Sequence, residues 1–410
     1  MAKKKCPYNV ILISVDAVAS PDAESFLALP AFKYFTERGC FTDNVNTIYP
    51  TITYPIHTSA ITGKYPERHS IAHNEPWQPD VNDKMRKWYW AVKDIGTRTL
   101  WHAAREKKLS VASLLWPVSG KATGVIKWDF PEVLPLPGEV PVIKMMQYAS
   151  KLWLAVTELR YSKFRQGLGR CSMDDYMALL CEKLIEKKNY PDLITVHFAD
   201  TDDTRHNKGV GTEEDKAAIL RMDRRVQRLI DAVKKRGIED RTVFAVMSDH
   251  GQQNIEKGYI PLDAKLCDAK LGRAQSLGMG AYIYADDLEK TRTFLEENSS
   301  ELHIKYILKN EELRKIRAPR EVVLAVQAED GYGYVDRNCE CDHLGDHGFG
   351  LEAPGAKTLL WLVGGPFKKG VKIGGADIVD IAPTIAEVMG LAMDDCDGKA
   401  ISEAFEKPLD

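Results

Sequence analysis

The chain has 410 residues, 44% of them hydrophobic and 28% charged, with 56 Lys+Arg against 59 Asp+Glu and a formal net charge of −3. That length exceeds one small core and predicts two lobes, or one large α/β domain with insertions. The charge balance excludes a general basic field. Neither a nucleic-acid polymer nor an anionic membrane is expected as a partner, so any phosphate chemistry must come from local groups.

The chain begins with a basic start, but its first apolar run is only Val10–Val15, interrupted by Ser14 and ended by Asp16. This is too short for a signal-peptide core, and no later stretch approaches a membrane span. The 8 cysteines lack the spacing of a small disulfide scaffold, which favours a reducing compartment. A cytoplasmic protein is expected.

The stretch Pro50–Asn74 comes next, PTITYPIHTSAITGKYPERHSIAHN. It predicts a short helix over Ile56–Thr62, with Pro55 at its first position and Thr53 at its cap. A hydroxyl there faces unpaired N–H groups and the positive end of the helix dipole, a seat for phosphate. An ordinary Thr cap is the plain alternative, and only the rest of the chain argues against it.

Further apolar runs occur at Leu109–Trp116, Leu193–Phe198, Thr242–Met247 and Thr358–Val363. Like Val10–Val15 they are continuous rather than alternating, as strands buried on both faces of a parallel sheet should be. Helices are predicted over Ser172–Lys187, opened by Ser172 and Asp175, and over Thr212–Lys235, opened by Thr212 and Asp215 and stopped at Gly237. Strands alternating with helices imply an α/β sheet covered on both faces. Lys121–Gly169 mixes prolines with an aromatic amphipathic stretch and is expected to lie over the sheet as loops and helices. Residues 260–342 carry their own signals, strands at Ala281–Tyr284 and Val322–Val326 around a helix at Leu288–Glu297. They are expected to form an α+β cap inserted into a core of residues 1–259 and 343–410.

The chemistry lies in the polar residues at the ends of the runs. Asp16 ends the first, Asp202 and His206 come just after the third, Asp249 and His250 end the fourth, and His347 comes after the cap. Ligands of open α/β sheets bind beyond the carboxyl ends of the strands. Each residue alone reads as a turn, cap or satisfied polar group; together they deliver a mixed Asp/His set to one edge. Zinc takes such donors and leaves positions open in catalytic sites. Two metals roughly 4 Å apart can clamp the attacking and leaving oxygens of a phosphoryl transfer. Cys339-x-Cys341 with Asp342 and His343 has residue types for a structural metal, but it lacks a second cysteine pair and reads as cap thiols.

The chain resembles the alkaline phosphatase superfamily, in particular the nucleotide pyrophosphatase/phosphodiesterase (type I phosphodiesterase) family. That family reads approximately YPTKTFPNHxxxxTGxYPExHGIxxN, against YPTITYPIHTSAITGKYPERHSIAHN here. Its Asp-x-x-x-His, SDHG and HGY elements match Asp202–His206, SDHG and HGF. The resemblance implies an alkaline-phosphatase-like three-layer sandwich with a mostly parallel sheet and an inserted cap. It implies a Thr53 nucleophile passing through a phosphothreonine, and Asn74 as donor to a phosphate oxygen. It implies one zinc held by Asp16, Thr53, Asp249 and His250, and another by Asp202, His206 and His347, with His343 the substitute should Gly345–Gly348 turn differently. Manganese or iron also suit such donors.

The implied substrate is a small phosphoester, including nucleotides. Tyr54 is expected to stack on a flat substituent, and His57, His69 and His73 to support the nucleophile segment. Tyr54, Ile56, Ser70 and Arg205 depart from the family pattern. Arg205, expected to point to solvent, leaves open a phosphomonoesterase or phosphonate hydrolase instead of a diesterase. A non-catalytic phospho-ligand binder is the alternative of another class, and it has no use for Thr53. No C/S-x-P-x-R element supports a sulfatase.

Overall fold

The computed structural model describes residues 6–407 apart from 338 and 340, so the basic start Met1–Lys5 lies outside it. The apolar runs form β1 (Asn9–Val15), β3 (Val111–Leu114), β5 (Leu193–Phe198), β6 (Thr242–Met247) and β11 (Lys357–Val363). The 9-stranded sheet also contains β2 (Gly39–Asn46), β4 (Trp128–Phe130) and the short β12 (Val371–Lys372) and β13 (Ala376–Asp377). Its order is β12-β2-β11-β6-β1-β5-β3-β4, with β13 also on β2.

β1 lies between β5 and β6, parallel to both. Its side chains alternate between the two cores. Val10 and Leu12 join one with Ile56, Ala60 and Ile61, while Ile11, Ile13 and Val15 join the other with Met177, Leu180 and Met222. Burial on both faces is why the central strands are mostly apolar, with polar side chains among them such as Ser14, Thr195 and His197 buried as well.

Four sequence expectations are corrected. The fifth run does not join the parallel set: β11 is antiparallel to both β2 and β6. The chain leaves His347 already at the carboxyl edge of the sheet, so the next strand must run back. Secondly, Lys121–Gly169 is not only loops and helices, because β4 pairs with β3 as an edge strand; the helices α2 (Pro141–Tyr148) and α3 (Lys151–Tyr161) come after it.

Thirdly, α4 (Arg170–Ile185) begins before Ser172, whose hydroxyl donates to the Gln166 carbonyl at 2.8 Å instead of capping. Fourthly, the helix after Thr51, α1, spans Thr53–Thr62 with Ile52 at its cap, so Thr53 is its first residue. By contrast α6 (Glu213–Arg236) starts and stops where its signals lie. The Thr212 hydroxyl accepts from the Asp215 N–H, and Gly237 adopts φ 67°, where a side chain would be strained.

Between β6 and β11 lies a separate antiparallel sheet of β7 (Arg273–Ser276), β8 (Gly280–Tyr284), β9 (Ile304–Lys309) and β10 (Leu324–Ala328), ordered β9-β10-β8-β7. The helix α7 (Leu288–Glu297) links β8 to β9. Tyr282 of this sheet packs with Tyr49 and Ile52, just before the nucleophile segment, and its hydroxyl donates to the Ala72 carbonyl at 3.1 Å. The described cysteines are all free thiols. No helix among the described residues is long and apolar enough to cross a membrane.

Candidate functional site

The strand ends assemble two groups of potential ligands. Asp16, Asp249 and His250 bring one donor atom each within 4.8 Å of one another, and Asp202, His206 and His347 do the same. The two groups abut where the rings of His250 and His347 stack with centroids 4.1 Å apart. Asp16 comes directly after β1, its N–H held by the Phe198 carbonyl at 2.9 Å. Asp202 and His206 share a face of α5 (Asp200–Lys208), at the four-residue spacing that one helical turn requires.

Each histidine of this set is oriented by a main-chain carbonyl. His206 Nδ1 lies 2.8 Å from the Gly345 oxygen, His250 Nδ1 3.1 Å from that of Gly251, and His347 Nδ1 3.2 Å from that of Thr51. A carbonyl can only accept, so each Nδ1 carries hydrogen. The Nε2 atoms of His250 and His347, which burial keeps neutral, turn lone pairs toward the site, and that of His206 becomes a donor to metal once it gives up the proton it shares with Asp202. Asp16 Oδ1 and Asp249 Oδ2 are buried with no hydrogen-bond partner among the described residues. Unsatisfied buried carboxylate oxygens aimed at free imidazole nitrogens are a donor set suited to divalent metal.

The electrostatics agree. Burial, then the neighbouring Asp249 carboxylate, pushes the Asp16 carboxyl well above its usual range. Burial holds His250 down to about 4, and burial with His250 holds His347 down to about 3. Asp202 and His206 behave as an ion pair, with Nε2 and Oδ1 3.4 Å apart. Against the effect of burial, each partner favours the other's charge, lowering Asp202 and raising His206 to about 9.

The two threonines separate cleanly. Thr51 is fully buried and donates to the Phe349 carbonyl at 2.7 Å. Thr53 Oγ1 faces the first group, 3.3 Å from His250 Nε2. Asn74 Oδ1 accepts from the Tyr54 N–H at 2.9 Å, which fixes the amide so that its NH₂ remains free to donate. Of the flanking histidines, His57 sits between Ser14 Oγ (2.7 Å) and the Thr53 carbonyl (2.8 Å). His69 meets Ser59 Oγ at 2.9 Å, and His73 Nε2 reaches the Ser276 carbonyl of β7 at 2.9 Å.

Two residues stand elsewhere than expected. Tyr54 is only 1% exposed, with its ring edge-on to Trp88 at 5.3 Å, so it offers no face to a substrate. At the second position of a helix packed into the core, its side chain points inward. Trp88, not Tyr54, lines the cavity beside the site. Arg205 points neither to solvent nor to phosphate. It is buried, bonded to Asp215 at 2.8 Å, to Asp22 at 2.7 and 3.0 Å and to the Ala17 carbonyl at 2.5 Å. It thus pins the turn after Asp16.

That cavity, about 290 Å³, runs from Asn74, His206 and His347 past Trp88 to Glu75, Arg86 and Asp336. Sequence reasoning passed over Arg86, which bonds Glu75 at 2.8 Å and Asp336 at 2.6 Å, because the three lie in separate segments. It also passed over Gln252, which donates to Asp202, and Asp346, which accepts from the His347 N–H and the Tyr259 hydroxyl. Their signal was adjacency, since Gln252 and Asp346 flank SDHG and His347. His343 groups with His206 and Asp346 rather than replacing His347, and Cys339 and Cys341 line the cavity without entering any of these groups.

The type I phosphodiesterase / nucleotide pyrophosphatase family model matches residues 10–349. The chain belongs to this family. Among its curated relatives, rat ectonucleotide pyrophosphatase/phosphodiesterase family member 7 is 23% identical over 412 residues, covering 95% of this chain and 85% of that one. Cattle bis(5'-adenosyl)-triphosphatase ENPP4 is 22% identical, covering 94% and 79%. The family fold is evident in murine ectonucleotide pyrophosphatase/phosphodiesterase 5, which superposes with TM-score 0.71 at 18% identity over 95% of this chain and 97% of that one. The family model extends through His347, so all the strand-end residues described above fall inside it.

Proposed function

We propose that the protein hydrolyses phosphodiester or phosphoanhydride bonds of nucleotide-type substrates, with Thr53 as nucleophile. Zinc is the metal proposed, one ion held by Asp16, Asp249, His250 and Thr53 and a second by Asp202, His206 and His347. The carrying observation is that Thr53 Oγ1 lies 3.3 Å from His250 Nε2 of the first donor group, which abuts the second where the His250 and His347 rings stack at 4.1 Å. When bound, the metals supply positive charge to the phosphoryl oxygens and make the threonine hydroxyl acidic.

The chain's own residues do the rest. Thr53 attacks phosphorus from the N-terminus of α1, the ester oxygen departs, and water then releases the phosphoryl group from Thr53. Asn74, held by the Tyr54 N–H, donates its NH₂ to an oxygen on which charge develops. Family membership supports this reading, as do the names of the relatives and the solved complex of inactive murine family member 5 with AMP.

A diester is favoured over a monoester by the cations present. A monoester dianion needs a guanidinium beyond the metals. Arg205 is committed to Asp22 and Asp215. Arg86, the one Lys or Arg among the described residues lining the cavity, is committed to Glu75 and Asp336. The test is turnover with added zinc on a nucleotide aryl ester, a bis-aryl diester, an aryl monoester and an aryl phosphonate. The diesters should lead. A monoester or phosphonate turned over faster than both would overturn the assignment.

A further inference from the structure

Most of the large apolar side chains left exposed among the described residues fall between 140 and 168. On α3, Leu152 is 80% exposed, Val156 41% and Leu159 88%. Their spacing of four and three places them in one stripe, opposite the buried Leu154 and Thr157. A helix on a soluble protein normally turns that stripe inward. Here Leu154 already fills the inner face, and a second apolar stripe faces water. Ile143 on α2 and Phe164 and Leu168 after α3 are each more than half exposed as well.

Beside α3 runs a groove of about 1020 Å³ walled by Trp128 and Trp153 and rimmed by Arg105, Lys121, Lys127 and Lys151, with no carboxylate among the described residues that line it. Lys121 and Lys127 lie over the Tyr148 and Trp128 rings, each 4.4 Å from the centroid. Of the acids in this region, Glu139 pairs with Lys144 and Glu158 with Arg165. Arg160 and Lys163 are exposed on the same helical segment.

We propose that this face docks on an anionic lipid bilayer. Leu152, Val156 and Leu159 enter the acyl boundary, and Lys121, Lys127 and Lys151 meet the headgroup phosphates. Protein interfaces are depleted in lysine, whereas helices lying in a bilayer surface combine Leu, Phe and Trp with a Lys/Arg rim. The net charge of −3 does not oppose this, because the field at a membrane is read within a Debye length of about 8 Å.

The test is flotation of the full chain with phosphatidylcholine vesicles, with and without phosphatidylserine, at low and high salt. Binding should require phosphatidylserine and weaken with salt. Changing Lys121, Lys127 and Lys151 together to Gln should weaken it on the order of 100-fold, from roughly fivefold per lysine. Leu152→Asp with Leu159→Asp should abolish it. Both variants change exposed positions and should keep wild-type turnover of a small soluble diester. No flotation of the wild type with phosphatidylserine vesicles would overturn the proposal, as would binding that both variants retain. So would vesicle-independent dimerisation that the double Asp variant reverses, which would assign the patch to a second copy of the chain.

Discussion

Thr51 and Thr53 are two positions apart, and their hydroxyls have different work. Thr51 is sealed against the Phe349 carbonyl; Thr53 opens the helix and faces His250. Thr53→Ala should therefore lose several orders of magnitude in turnover while still binding metal through the remaining Asp and His donors. Thr51→Ala should leave turnover close to wild type and lower stability by about 1 kcal/mol, the usual worth of one buried hydrogen bond. Asn74→Ala should lose roughly 10²–10³ in kcat, the scale for one oxyanion donor. Steady-state kinetics and metal analysis of the three variants check these outcomes, and a Thr53→Ala enzyme retaining full rate would mean that water attacks directly.

At the scale of elements, α5 carries Asp202 and His206 and is anchored from its first residue. Its Asp200 N–H donates to Asp174 of α4 at 2.9 Å, and its Asp200 carboxylate is gripped by Arg221 and Arg225 of α6. Burial pushes the Asp174 carboxyl from 3.8 up to about 7, against the pull of Arg225. A carboxyl raised by folding binds its proton more tightly in the fold than in the unfolded chain. Its contribution to stability is therefore complete below pH about 4 and is lost as the pH rises through about 7. Asp174→Asn keeps an acceptor for the Asp200 N–H and removes the charge. It should flatten the decline in Tm between pH 5 and pH 8 and melt above the wild type at the upper end. Parallel Tm profiles for the two proteins would refute this account of Asp174.

The molecule as a whole brings the carboxyl ends of β1, β5 and β6, together with the segment that follows the small antiparallel sheet, to one place. Without cations this concentrates buried carboxylates, and Asp16 is pushed up by burial and by Asp249. Metal that binds this arrangement stabilises the fold by mass action. Chelation should therefore lower Tm as well as abolish turnover, and zinc should restore both, with close to two ions per chain by metal analysis. A Tm unchanged by chelation would argue against the six strand-end residues as the metal-binding set.

The sequence alone determined the α/β class, the strand runs and the Asp and His residues that end them. These are local properties, since burial on both faces demands continuous apolar runs and metal chemistry demands particular donor atoms. The separation of Thr51 from Thr53, by contrast, was available only by resemblance until the packing gave each hydroxyl its partner. Tertiary structure decided what depends on direction and distance. It turned β11 antiparallel, buried Tyr54 behind Trp88, spent Arg205 on Asp22 and Asp215, and gathered Glu75, Arg86 and Asp336 from distant segments. It also segregated charge. A chain of net −3 carries a groove rimmed by Arg and Lys, with no carboxylate among its described lining residues, because composition averages over the surface while folding sorts it.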